Sequence, residues 1–302
     1  AEPVPDEPRG VPLLPSGAGW PALPLAGLAV VVAAVRLHSL REPLERDLTT
    51  YAVIGHEMLK GRPLYADLWD HKPPGIHAAY ALAEKLFGYG ETQVWALGVL
   101  ASIATLLAVF VAGRAAGSDR SGLWAAAAWT SIQALSLVQA NTPNAEAFMN
   151  ASVAWAFALL VRPRGGEPGP GRLISAGGLL AVGSLFKHVV FVPAVVLAAA
   201  LLVSARGSRA RVRAAALVVP SLAAWAALAA WFGARGHGRD LLDAVVVFNR
   251  AYAGSLLRNI SGSGALGSSA GTRVLSDANA VAAVAFLVLA WVATRAGDRN
   301  RL

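Results

Sequence analysis

Asp47 stands near the end of an apolar run, and 23 residues further on the chain reads Asp70-His71-Lys72-Pro73-Pro74-Gly75. Each of these side chains has two uses. The Asp47 carboxylate either takes a proton in catalysis or caps the helix whose pattern starts near residue 48. Lys72 either holds an anion or snorkels to a membrane interface. Asp70, just ahead of the prolines, favours an Asx turn. His71 either binds a metal or a phosphate, or fills a structural place among the aromatics around it. All lie in the stretch 46–75, RDLTTYAVIGHEMLKGRPLYADLWDHKPPG, a polar segment between two apolar runs. A connection of this length carries more than chain reversal, which needs only a few residues.

The elements around this segment are set by composition. Of 302 residues, 56% are hydrophobic and 15% charged, against about 25% charged in a soluble globular chain. The apolar residues fall in blocks near bilayer length, which predicts an all-α polytopic membrane protein. Eight spans are expected, at about 23–40, 92–112, 121–139, 145–161, 173–186, 188–204, 214–233 and 279–295. Lys187-His188 separates the fifth from the sixth as a tight hairpin. The net charge of +8 resides in Arg residues of short loops, which accounts for it by orientation and argues against a nucleic-acid partner. The absence of Cys excludes disulfides and thiolate metal sites.

Arg114 and Arg120, Arg162 to Arg172, Arg206 to Arg213 and Arg295 to Arg301 fall on alternate connections. That places both termini in the cytoplasm and the loops 41–91, 141–146 and 234–278 outside. The expected location is the inner (plasma) membrane. Residues 1–22 form a Pro-rich tail, with 7 of the 17 prolines in the first 24 residues, and residues 23–302 form the membrane module. The last outer loop contains GSGALGSSAG (262–271), a low-complexity stretch expected to be mobile. The first outer loop reads as two interfacial helices. One spans about 48–60, with Tyr51, Ile54 and Met58 on one face and Gly61 as its stop; the other spans about 74–87, with Pro74 in its first turn and Gly88 at its end. Tyr65, Trp69, Phe87, Tyr89 and Trp95 suit an aromatic belt.

An acidic residue closing the first span, a Tyr-bearing helix, and then G-x-P-x-Y-x-D-x-W-D-H-K-P-P-G together resemble the first outer loop of the GT-C membrane glycosyltransferases. In particular it resembles the bacterial members related to family 39, which include the protein O-mannosyltransferases and lipid A aminoarabinose transferases. Relatives often carry Asp-Glu where this chain has Asp47-Leu48, and are commonly longer. The resemblance implies inverting transfer of a sugar from a polyprenyl-phosphate donor to a hydroxyl at the outer face, with a lipid, glycan or protein as acceptor. It makes Asp47 the candidate base. Lys72 and Arg46 become candidate partners of the donor phosphate, whose charge grows as it leaves.

Further along, Glu146 follows NTPNA and opens the fourth span. It is either a site carboxylate or a charge favoured by the helix dipole. Lys187 and His188 sit deep in apolar sequence, where a lysine costs about 2.5–3.5 kcal/mol on insertion scales, and are expected to contact the lipid phosphate. Asn249, Arg250 and Tyr252, in FNRAY, either touch substrate or anchor the chain at the interface. With Tyr51, Asp70 and His71 they complete the supporting set. No cofactor is specified, and a divalent cation stays open. Two other readings compete. One is a transporter or flippase of lipid-linked sugar, which would need ionisable groups through the spans. The other is a partial, non-catalytic relative that binds lipid. The Ala, Arg and Gly usage points to a high-GC bacterial source.

Overall fold

The computed structural model describes residues 21–41, 46–133, 142–161, 168–204 and 207–253. Among these, all regular structure is helical apart from a single bridge between Leu64 and Leu68. The helices are α1 (Ala22–Val35), α2 (Arg46–Leu59), α3 (Gly75–Phe87), α4 (Glu91–Ala116), α5 (Asp119–Gln133), α6 (Ala145–Leu160), α7 (Pro170–Ser184), α8 (Phe191–Ser204), α9 (Ser208–Ala234), α10 (Gly238–Leu242) and α11 (Phe248–Ala253). Helix α4 packs on α5 and α6, α6 on α7, and α7 on α9, which α8 also lines.

The two helices of the first loop form where the sequence places them, within two residues at each end. In α2 the i, i+3, i+4 pattern buries Leu48, Tyr51, Ala52 and Ile54. In α3 it buries Ile76, His77, Tyr80 and Ala83. The two cross closely at Gly55, where a Cβ would stand 2.9 Å from the Ala81 backbone nitrogen. Leu48, Tyr51, Ile76 and Tyr80 then share one core cluster with Val94 of α4 and Ala145 of α6. The loop helices are thereby mounted on the polar end of the bundle.

Eight membrane spans are expected from the sequence, and the described residues show part of that set. Among the described residues, two helices are long and apolar enough to cross a bilayer, Glu91–Ala116 and Ser208–Ala234. Ala22–Val35, Ala145–Leu160 and His188–Val203 are apolar but shorter. The first ends early because Arg36 turns inward. Its guanidinium donates to the Val32 carbonyl at 3.2 Å and to Gln133 Oε1, which also accepts from Ser102 at 2.8 Å. A short 3-10 turn, Leu37–Leu40, follows. The eighth expected span, the first 20 residues and the GSGALGSSAG stretch lie outside the described residues. Within the segment 234–278, residues 238–253 are helical. Helix α10, a π turn at Asp243–Val247 and α11 follow one another. Leu241, Ala244 and Val245 bury against Tyr65 and Phe232 and so order this segment.

Candidate active site

The Asp70–Gly75 turn is held by its backbone. The Asp70 carboxylate accepts the His71 N–H at 2.6 Å and faces the Lys72 N–H at 3.4 Å, the Asx arrangement its place before the prolines predicts. The Tyr65 hydroxyl donates to the Lys72 carbonyl at 2.8 Å. Asn249, from α11, donates to the His71 carbonyl at 2.7 Å. The Gly75 N–H donates to the Leu185 carbonyl at 2.9 Å, docking the turn on the end of α7. The approach is so close that a Cβ at Gly75 would lie 2.6 Å from that oxygen. Tyr65 adopts φ +72°, the one non-glycine residue with positive φ among the described residues. The cost of that conformation is of order 1–3 kcal/mol and persists only where surroundings fix it. Here the buried ring packs on Phe232 at 5.4 Å while its hydroxyl holds Lys72.

Behind the turn, fully buried His77 places Nε2 3.2 Å from the second Asp70 oxygen, off the line of a good hydrogen bond, so the contact is chiefly electrostatic. His71 Nδ1 stands 3.2 Å from the first oxygen. Burial pushes the Asp70 carboxyl up, but His77, His71 and the His71 N–H together outweigh it and hold it below its ordinary value. The His71 imidazole is shifted down, by burial first and Lys72 second, against the opposing pull of Asp70 and Asp47. His77 carries no motif in the sequence. Its only signal is its i+7 offset from Asp70, and only the fold reveals the pairing.

Asp47 lies in the first turn of α2, which begins at Arg46. It is therefore inside the helix rather than at its cap, with its charge at the favourable end of the dipole. Tyr51, one turn on, is buried with its ring edge against His77 and Tyr80, each at 5.7 Å. Burial, then Asp47, Asp70 and Glu146, push its hydroxyl well above the usual phenol range. One phenol thus senses all three carboxylates.

The third wall comes from α6 and the Lys187 break. Tyr80 donates to the Pro143 carbonyl at 3.2 Å, which ties the NTPNAE turn to α3. Glu146 then sits in the first turn of α6 and pairs with Lys187. Stacked Phe148 and Phe186, 5.0 Å apart, hold the two backbones together. Lys187 is an extended residue between α7 and a 3-10 turn at His188–Val190, the hairpin the sequence predicts. The His188 ring stacks on Trp225 at 5.2 Å, and its Nε2 is buried with no hydrogen-bond partner among the described residues. Lys72 and Lys187 both act on the charge of Glu146, and His71 and His188 act on each other. The structure therefore gathers Asp47, Tyr51, Asp70, His71, Lys72, Glu146, Lys187 and His188 at one end of the bundle.

Three further expected residues fall on α11. Asn249 holds the turn, Tyr252 packs its ring 5.4 Å from His71, and Arg250 is exposed. Arg46 begins α2, and its side chain lies outside the described set. Among the described residues no group of three or more His, Asp or Glu side chains is arranged to hold a metal ion. Lys72 has no carboxylate within ion-pair distance among the described residues, whereas Lys187 has Glu146.

Beyond Pro74 and Gly75 a cavity of about 790 Å³ opens, walled by Met58, Leu64, Leu185, Leu228 and Phe232, with Arg62, Arg235 and His237 also lining it. The turn that carries Lys72 thus lies between the charged side chains at this end of the bundle and an apolar cavity.

A helical bundle carries this turn at its polar end, and comparison with known families supplies its class. Residues 71–233, just over half of the chain, match the family described as dolichyl-phosphate-mannose-protein mannosyltransferase. The chain belongs to that glycosyltransferase family. The matched segment includes His71, Lys72, Glu146, Lys187 and His188, while Asp47, Asp70 and α11 lie outside it. No curated protein and no solved structure matches the chain. Membership of this family and two helices long enough to cross a bilayer fit a membrane protein.

Proposed function

We propose that the chain transfers a sugar from a polyprenyl-phosphate donor to a hydroxyl acceptor at the outer face of the cell membrane, with inversion and with Asp47 as base. The observation that carries this reading is the Lys72 turn. It mounts a cation with no carboxylate partner among the described residues on a locked backbone, between the site carboxylates and an apolar cavity of about 790 Å³. An amphiphilic phosphodiester has the same division, a sugar phosphate at one end and a hydrocarbon chain at the other.

In this scheme the donor phosphate lies against Lys72, with Lys187 and His188 beside it, and the isoprenoid enters the cavity past Pro74 and Gly75. The acceptor oxygen attacks the anomeric carbon from the face opposite the phosphate. One C–O bond forms as the carbon–phosphate oxygen bond breaks, the electron pair leaves with the phosphate, and the hydroxyl proton passes to Asp47. A positioned base contributes about 10²–10⁴-fold. A positioned cation opposite the leaving group contributes about 10²–10³-fold. Glu146 holds Lys187 in place, and Tyr51 separates the carboxylates. The rest of the architecture follows from the same reading: a GT-C-like module of about eight spans, both termini in the cytoplasm, and the 41–91 segment as the catalytic loop. Exposed Val203, Val212 and Leu23 then face lipid.

The test is transfer in membranes containing the chain, given radiolabelled polyprenyl-phosphate sugars, beside Asp47→Asn at matched protein level. Transfer should fall at least about 10²-fold in the variant. Full activity of Asp47→Asn moves the base elsewhere, with Glu146 next. Absence of transfer from every donor, with Lys72-dependent donor binding retained, favours the lipid-binding relative.

A further inference from the structure

One group of side chains beside the site has no part in the scheme above. Trp69, His71, Phe248 and Tyr252 form a connected aromatic surface. Trp69 meets Phe248 edge-on at 4.8 Å, Phe248 lies 5.3 Å and Tyr252 5.4 Å from His71, and Phe248 and Tyr252 lie nearly parallel at 6.0 Å. Two separate parts of the chain supply it, the turn before Lys72 and the helix α11. Large aromatic rings are ordinarily covered, yet Trp69 is 53% and Tyr252 74% exposed.

The surface is fixed to the machinery. Asn249, between the two α11 rings, donates to the His71 carbonyl, and His71 is the residue before Lys72. Residues placed only to sit at a membrane boundary need no such bond to a substrate-binding turn. Polar groups belong to this surface: the His71 imidazole lies against Phe248 and Tyr252, Tyr252 ends in a hydroxyl, and exposed Arg250 stands between the two rings in the α11 sequence. An aromatic face bordered by hydrogen-bonding groups suits a molecule with one C–H face and a hydroxyl edge. A pyranose ring has that division. A hydrocarbon chain has no use for the polar groups, and an extended peptide has no flat C–H face.

We propose that Trp69, His71, Phe248 and Tyr252 form a binding platform for a pyranose ring of the acceptor, so that the acceptor is a glycan. The proposal rests on the transferase reading for the words donor and acceptor, though not for the binding itself. The acceptor is favoured over the donor sugar because the apolar cavity adjoins Pro74 and Gly75, whereas the platform is built on Trp69 and His71, at the other end of the turn. A donor entering from the cavity leaves the platform side for the incoming hydroxyl.

The experiment uses the full chain in nanodiscs, with methyl α-mannoside, methyl β-glucoside and a mannobiose as probes and saturation-transfer NMR as the readout. A glycoside should receive saturation through the C–H protons of one ring face. Tyr252→Ala should weaken its binding about tenfold, while Trp124→Ala, an exposed ring on α5, should not. In transfer assays Tyr252→Ala should raise KM for a mannobiose acceptor and act far less on KM for the donor. The proposal is overturned if no glycoside binds, if the two variants behave alike, or if Tyr252→Ala lowers vesicle association and leaves glycoside binding intact. A rise in donor KM alone would assign the platform to the donor sugar and overturn the acceptor assignment. Equal transfer to a Ser/Thr-rich peptide and to mannobiose, unaffected by the variant, would overturn it as well. Glycoside binding that depends on Tyr252 in a chain with no donor turnover would leave the platform standing and sink the transferase reading.

Discussion

Two cationic segments reach the candidate active site, and they are held in different ways. The main chain of the Lys72 turn donates to Asp70 and Leu185 and accepts from Tyr65 and Asn249, and its ammonium has no carboxylate partner among the described residues. Lys187 has the opposite arrangement. Its backbone is an extended link between two helical pieces, and its side chain is committed to Glu146, with both groups substantially exposed. A cation held by its backbone keeps its charge free for a ligand. A cation held by its own charge must exchange one partner for another when a ligand arrives. The Lys72 turn is therefore built to bind and the Lys187 link to support.

Substitution of each lysine by Met tests that division, and the larger effect is expected at Lys72. Lys72→Met removes charge opposite the leaving phosphate and should lower transfer about 10²-fold. Lys187→Met removes an exposed ion pair of a kind worth about 0–1 kcal/mol, so less than about tenfold is expected. Glu146→Gln should act like Lys187→Met, and the double variant should be no worse than either alone, since coupled partners are not additive. Rates measured at saturating donor decide it. A larger loss at Lys187 than at Lys72 reverses the assignment.

The way the turn is docked gives the next effect. Gly75→Ala would drive a Cβ against the Leu185 carbonyl, a backbone atom with little freedom to move. Such overpacking costs about 1–3 kcal/mol. Thermal unfolding in detergent should show a lower midpoint, and transfer should fall with it. Gly178→Ala, where open space surrounds the added carbon, serves as the matched control in α7. An unchanged midpoint in Gly75→Ala would mean that the turn is not locked on α7.

Much of this was legible in the sequence because it is local. The Asx turn follows from Asp70 before two prolines, the helix starts expected near 48 and 74 fall at Arg46 and Gly75, and the break at Lys187-His188 follows from charge inside an apolar run. Long-range pairings were not legible. His77 behind Asp70, Asn249 on a carbonyl 178 residues away, and Arg36 folded onto Gln133 all depend on which helices meet. The end of the first apolar helix was not legible for the same reason. Hydropathy counts apolar length, but Arg36, buried and hydrogen-bonded, ends the first helix where composition alone carries it on. The positive φ of Tyr65 is invisible locally, because the sequence offers Tyr where a glycine or asparagine would signal that conformation.

The smallest effect concerns protons and tests whether the turn is strained electrostatically as well as held. His71 titrates below its ordinary value because burial, with Lys72, outweighs the attraction of Asp70 and Asp47. Between about 6.5 and the lower folded value, the unfolded chain binds more protons than the folded one. The His71 contribution is therefore complete above about pH 6.5 and is lost as pH falls through that window. Asp70 has the depressed carboxylate case, and its contribution persists until pH falls through its lowered folded value, further into acid. Unfolding midpoints in detergent at pH 7.5 and 5.5 should show a modest decrease on acidification, and His71→Gln should reduce it while leaving the Asn249 bond to the residue-71 carbonyl available. A slope equal in His71→Gln and the parent chain would mean that His71 is not the group that charges.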